Sequence, residues 1–190
     1  MTVVNDEAQL IAKVLLTKDQ QAFATLVIHH QQSLRQYCRR LCTPDLDLAD
    51  DIAQETLIQA YRKLSLFNGS GKFISWLFRI AYFQYLQYLR SHKSYEEFDE
   101  NSADEQEQVS NHQSSAAFDD LEKAMSVLSV NERNCITLHY SFGYTQAEIA
   151  DLVDMPLGTI KSQIKRGKEK LIRVLNESSN SSCQNISGAA

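Results

Sequence analysis

The chain has 190 residues, 43% of them hydrophobic, with six Gly, two Pro and a formal net charge of −5. That length holds one domain or two small ones, and so few helix breakers favour helices and exclude a turn-rich β fold. Apolar runs are broken within a few residues, as Trp76-Leu77-Phe78 is by Arg79, so no membrane insertion is expected; Asp6 and Glu7 near the start predict no secretory signal, and the expected location is the cytoplasm.

The stretch Asp19 to Cys42 carries Phe23, Leu26, Val27, Leu34 and Leu41 at helical spacings and predicts a helix. Pro44 and Asp47 break and restart the chain. The next helix begins near Asp47, with Asp50 and Asp51 in its first turns, where the helix dipole favours acids. One of its faces is apolar, made of Ala53, Leu57, Ala60, Tyr61 and Leu64. Asp51, Gln54, Glu55, Ile58 and Arg62 lie mostly opposite, so a second face is left without a core to join. Asn68-Gly69-Ser70-Gly71 predicts a turn. A third helix follows from about Phe73 to Arg90. Eight of the 17 aromatic residues fall between Phe67 and Tyr88, with Lys72, Arg79 and Arg90 interleaved. A core face needs only Phe73, Trp76, Leu77 and Ile80 of this region. The remainder fits a fully buried helix or a face covered by a partner; aromatics beside cations also hold unstacked bases of single-stranded DNA.

From Tyr95 to Glu122 there are ten acids and no Lys or Arg, which leaves the rest of the chain at +5 (19 basic against 14 acidic). Ser91 to Ala117 is rich in Ser, Gln, Asn, Asp and Glu and is predicted to be a linker, because it cannot bury enough to order itself. The C-terminal half opens two helices with capping boxes, Ser129 to Glu132 and Thr145 to Glu148, separated by the helix terminator Gly143. After Asp154-Met155-Pro156-Leu157-Gly158 a last helix is expected from about Thr159 to Leu175. Its apolar stripe is Ile160, Ile164, Leu171, Val174 and Leu175, and Gly167 on that stripe lets a neighbouring helix come close. The same helix carries Lys161, Lys165, Arg166, Lys168, Lys170 and Arg173 against Glu169 alone. Two short helices joined by a tight turn, the second basic and amphipathic, form a helix-turn-helix pattern. Thr159, Lys161, Ser162, Gln163, Lys165 and Arg166 then offer donors to phosphates and base edges. The tail from Asn176 on has the composition of a disordered segment.

Of the four Cys, Cys38 and Cys42 share a helix face, while Cys135 and Cys183 stand apart. A metal site would need more ligands at close spacing, and two small half-buried residues is the simpler reading. No catalytic constellation stands out: there is no Ser-His-Asp or Cys-His arrangement and no phosphate loop, and His112 and His139 are isolated. Neither an enzyme nor a cofactor is expected.

Taken together, Asp50-Asp51-Ile52-Ala53-Gln54-Glu55-Thr56, Phe73-Ile74-Ser75-Trp76-Leu77-Phe78-Arg79-Ile80-Ala81, Glu132-Arg133, Tyr144-Thr145-Gln146-Ala147-Glu148-Ile149-Ala150 and Gly158-Thr159-Ile160-Lys161-Ser162 resemble, in order, the group IV or extracytoplasmic-function (ECF) sigma factors of the bacterial sigma-70 family. The resemblance implies an all-α chain of two small helical domains joined by a flexible acidic linker. Region 2 would span 1–92, the linker 93–117, region 4 118–176 and a disordered tail 177–190. It implies that core RNA polymerase docks on Asp50, Asp51, Gln54 and Glu55. Phe67, Asn68, Lys72, Trp76, Arg79 and Tyr82 would recognise and open the −10 DNA. Thr159, Lys161, Ser162, Lys165 and Arg166 would read the −35 DNA in the major groove. It also implies an anti-sigma partner. The chain departs from the family pattern at Phe83, Gln87 and Ser91, where Asn, Asp and Arg are common, which points to an unusual promoter or a divergent member.

The linker passes a physical test. Promoter elements separated by roughly 17 base pairs lie about 60 Å apart, and about 25 linker residues extend to roughly 80 Å but relax to about 25–30 Å. One chain bridges both elements only if the polymerase holds its halves apart. The competing reading is a stand-alone helix-turn-helix regulator, which would have no need of the Asp51/Gln54/Glu55 face.

Overall fold

The computed structural model describes residues 3–69, 71–96 and 116–184, and every regular element among them is helical. The first helix, α1 (Val3–Thr17), is one the composition of the N-terminus does not announce. Ile11 and Val14 are buried and Leu10 and Leu15 pack against the core, a one-sided set at three- and four-residue spacing. α1 ends at Lys18, a non-glycine residue at φ 56°. Asp19 then caps α2 (Gln20–Cys42), accepting from the backbone N–H of Gln21 and Ala22 while its other oxygen meets Lys13 Nζ at 2.6 Å. A His30–Glu7 contact of 2.8 Å ties α1 to α2.

Asp45 caps α3 (Leu46–Lys63), which buries Ala49, Ile52, Ala53, Thr56 and Ala60. The predicted stripe is shifted slightly: Tyr61 lies at its rim, 37% exposed, with its ring edge-on to Phe23. A 3-10 turn (Leu64–Leu66) leads to α4 (Phe73–Glu96), six residues longer than predicted. The extension Ser91–Glu96 contains neither Gly nor Pro, so an established helix propagates through it. Of the rest of the linker expectation, residues 97–115 lie outside the described residues, and Ala116 and Ala117 belong to the next helix.

The C-terminal half comprises α5 (Ala116–Ser126), α6 (Val130–Ile136), a π turn (Thr137–Ser141), α7 (Gln146–Val153) and α8 (Leu157–Gln184). Both predicted capping boxes form, with the hydroxyl of Ser129 or Thr145 accepting from the third residue on and the Glu accepting in return. The tail expectation needs correction. α8 continues to Gln184, through Ser and Asn residues that lack a breaker until Gly188.

The chain has the expected all-α plan of two small helical domains, and the two also pack on each other through a shared core. α2 packs on α1, α3 and α4; α5, α6 and α7 pack on α8; and α4 meets α7 while α2 meets α6. Tyr37 of α2 stacks on Phe78 of α4 at 4.4 Å, and Phe142 of the C-terminal half closes on Phe78 at 4.7 Å. Tyr37 donates from its hydroxyl to Asn134 Oδ1 at 2.8 Å inside this core. Burial pushes the Tyr37 hydroxyl well above its ordinary pKa, which keeps it a donor.

Candidate functional site

Three surfaces carry the residues singled out in the sequence. The first is built by α7 and α8. Asp154 adopts the left-handed conformation (φ 58°, ψ 48°), ending α7, and the Pro156 carbonyl accepts from Thr159 and Ile160 to start α8. The helix therefore begins two residues before the predicted Thr159, with Leu157 and Gly158 in its first turn. Ile160 and Ile164 are buried. Gly167 lies so close to Ile136 that a Cβ there would be 2.9 Å from Ile136 Cγ1. These contacts fix the rotation of α8. Lys161, Ser162, Lys165 and Arg166 are exposed on the outer side and Thr159 is half-buried beside them. Ser162 Oγ donates back to the Thr159 carbonyl at 2.8 Å. Leu175 departs from the predicted stripe and is 41% exposed.

Glu132 anchors the rear of this helix. Its carboxylate accepts from Lys170 Nζ at 2.8 Å and lies 4.0 Å from Arg166 Nε. Burial pushes its pKa up, but the Lys170 ammonium and the Ser129 amide and hydroxyl together outweigh burial and hold it below the ordinary value. Arg166 keeps 58% of its side chain exposed.

The second surface is the outer face of α3. Asp51 and Gln54 are exposed. Glu55 is half-buried and accepts from Gln59 Nε2 at 2.9 Å. Asp50 turns toward the α2–α3 seam, with Oδ2 3.8 Å from the Arg39 guanidinium and a buried Oδ1 that finds no hydrogen-bond partner among the described residues. The sequence groups Ile58 with the polar residues, and it is 45% exposed between them.

The third surface is α4 with the turn before it, and the structure divides the predicted set. Asn68 and Lys72 are exposed. Phe67 and Trp76 are half-buried against each other and Phe73, with ring centroids 5.4–5.6 Å apart. Arg79 and Tyr82 instead face the C-terminal half. The Arg79 guanidinium donates to the carbonyls of Asp151 (3.0 Å) and Leu152 (2.8 Å), and its charge also lies 5.2 Å from the Phe83 ring. Tyr82 is 1% exposed and donates to Asn131 Oδ1 at 2.8 Å. Ser75, also on this face, shares a hydrogen bond of 2.6 Å with the Tyr144 hydroxyl. Sequence reasoning missed Ser75, Asn131 and Tyr144 because their pairing spans 49 to 69 residues and leaves no local pattern.

Residues 26–95 match the family model for Sigma-70 region 2, and residues 118–171 match that for Sigma-70, region 4. The chain is 31% identical over 180 residues to the ECF RNA polymerase sigma-E factor of Escherichia coli (strain K12), covering 86% of this chain and 93% of that protein. It is 27% identical over 188 residues to the RNA polymerase sigma-H factor of Pseudomonas aeruginosa, covering 92% and 96%. Among solved structures it is similar to the sigma factor RpoE in complex with the anti-sigma factor NepR from Bartonella quintana. There the TM-score is 0.71 at 25% identity, over 81% of this chain and 96% of that one. CnrH in complex with the cytosolic domain of CnrY gives a TM-score of 0.59 at 25% identity, over 90% and 96%.

Proposed function

Since this chain belongs to the sigma-70 family, as an ECF sigma factor that directs transcription initiation to promoters, we propose that its three surfaces divide that work. The α3 face of Asp50, Asp51, Gln54 and Glu55 docks core RNA polymerase. The turn and α4 (Phe67, Asn68, Lys72, Trp76, Arg79 and Tyr82) recognise and open the −10 DNA. The outer face of α8 (Thr159, Lys161, Ser162, Lys165 and Arg166) reads the −35 element. The first half then ends with α4 at Glu96 and the second runs from α5 at Ala116 to the end of α8 at Gln184, each a few residues beyond the predicted 1–92 and 118–176, with the acidic stretch between them. The chain works as a cytoplasmic binding subunit without chemistry of its own.

The observation that carries this reading is the fixed rotation of α8. Ile160, Ile164 and Gly167 are packed inward, so four exposed donors and the half-buried Thr159 share the outer side. A helix held this way presents cations to phosphates and short polar side chains to base edges. The α3 face favours an initiation subunit over a stand-alone regulator, because a well-packed helix keeps exposed acids and Ile58 on a side its own core does not use. An anti-sigma partner is supported by the likeness to RpoE, solved with NepR. Two variant classes test the division of labour. Lys165→Glu or Arg166→Glu should retain polymerase but lose transcription from DNA fragments that the wild-type holoenzyme retains. Gln54→Ala should lose polymerase affinity itself. Identical defects in both classes would show that the faces are misassigned.

A further inference from the structure

We infer that Phe83 is a base-stacking residue of the α4 surface, holding one unpaired DNA base on its ring and selecting that base by stacking rather than by hydrogen bonding. This rests on the reading of α4 as a DNA surface and names how one further base is held there.

The outer side of α4 is a single stripe. Residues three and four apart share a helix face, so Lys72, just before the helix, lines up with Trp76, Arg79, Phe83, Gln87 and Arg90. From Phe73 to Arg90 the exposed residues are Phe83, Gln87 and Arg90, and all three lie on this stripe. Trp76 and Arg79 are half-buried on it. Cation and ring alternate over its first four positions, and no Asp or Glu occurs anywhere from Lys72 to Arg90. A helix face left to solvent carries polar and charged residues; this one carries two large rings between cations.

Tyr82 and Phe83 divide the aromatic surface between them. Tyr82 is buried, while Phe83 is 40% exposed. The Phe83 ring is flanked on both sides: the Arg79 guanidinium lies 5.2 Å from its centroid, and Tyr82 meets it edge-on with centroids 5.4 Å apart. A ring already held in place loses little rotamer freedom when it binds. One exposed Phe is ordinary on a protein surface. Here the ring stands among cations on a segment without acids, which fits unpaired DNA: phosphates meet the cations, and every base has a π-face for the ring. Trp76 and Phe83 are seven residues apart, about 10 Å along the helix axis. They therefore meet different bases, no more than about three stacked steps of 3.4 Å apart. Phe offers no donor or acceptor to a base edge. The base over Phe83 is thus chosen by stacking strength, the larger purines over pyrimidines, and not as a single letter.

The test uses holoenzyme assembled from the full chain and core RNA polymerase, on a DNA fragment that the wild type opens. Opening is read by permanganate reactivity of unpaired thymines, with single abasic sites placed in turn along each strand of the opened region. In the wild type, an abasic site at the position over Phe83 should reduce opening about tenfold. Phe83→Leu, apolar but without a π-face, should reduce opening of the intact fragment by a similar factor. At that one position the abasic site should then cost nothing further, with its cost elsewhere unchanged. Phe83→Tyr should restore opening, and both variants should co-elute with polymerase as the wild type does. A Phe83→Leu holoenzyme that opens the intact fragment normally, or whose abasic profile matches the wild type at every position, would overturn the inference. So would loss of co-elution, which would make Phe83 a protein contact. The underlying reading fails separately: if Lys72→Glu holoenzyme also opens DNA normally, α4 is not the DNA surface, whereas a defect in Lys72→Glu beside a normal Phe83→Leu removes only the role of Phe83.

Discussion

Arg133 is buried with no carboxylate paired to it among the described residues, and its charge is spread over backbone carbonyls at the end of α2, in α5 and in the turn after α5. Burial lowers its pKa from the ordinary value, against the opposing pull of Tyr85 and Cys42. Truncation would leave those carbonyls buried and unpaired. Arg133→Met should therefore lower stability to urea by about 3 kcal/mol or more, and Arg133→Lys should recover only part, since an ammonium cannot reproduce the planar fork. Gly167 makes a smaller and opposite kind of demand. Gly167→Ala gains about 1 kcal/mol of helix propensity but forces a Cβ onto Ile136, and overpacking of that kind costs about 1–3 kcal/mol. A net loss of about 1 kcal/mol is expected in a denaturant titration. Glu132 sets a pH dependence. Its folded-state pKa lies below the ordinary 4.5, so it contributes stability above about pH 4.5 that is lost as pH falls through the lowered value. The Glu132→Gln chain should lack that part of the acid-induced loss in thermal melts across pH 3–6.

At the scale of elements, the sequence carries most of what the helices do. Capping boxes, the Gly167 contact and the inward stripe of α8 as far as Leu171 were legible, because each is a local pattern with a local cause. α1 was not, since its acidic start hides a stripe only four residues long that needs α2 to bury it. The end of α8 was misread because Ser and Asn are weak helix formers that a long preceding helix still carries. For α8 the expected behaviour on DNA is electrostatic. Each cation removed from Lys161, Lys165 or Arg166 should reduce the slope of log affinity against log salt by about 1. Titrations at several salt concentrations would check this, and Lys168 and Arg173, also exposed on α8, give a comparison outside the proposed reading face.

At the scale of the molecule, the candidate surfaces were legible but their relation was not. Asp51 and Gln54 are exposed as the helical period of α3 requires. Arg79 and Tyr82 share a helix with Trp76, yet the partner that covers them comes from the other half. Tyr82 shows the consequence, since burial raises its pKa to about 12 and leaves it a neutral donor to Asn131 rather than a free aromatic face. No spacing rule in one segment reports a contact made by another, and the acidic stretch between the halves suggested separation rather than closure.

The most direct measurement of the proposed division of labour, in which the α3 face docks core RNA polymerase, is size-exclusion chromatography of the full chain with purified bacterial core RNA polymerase, wild type beside Glu55→Lys. The account predicts that the wild type co-elutes with polymerase and that Glu55→Lys, folded by circular dichroism, does so at least about tenfold more weakly, as reversing a charge in a docked face should. A folded wild type that fails to co-elute, or a Glu55→Lys chain that co-elutes as well as the wild type, would contradict it.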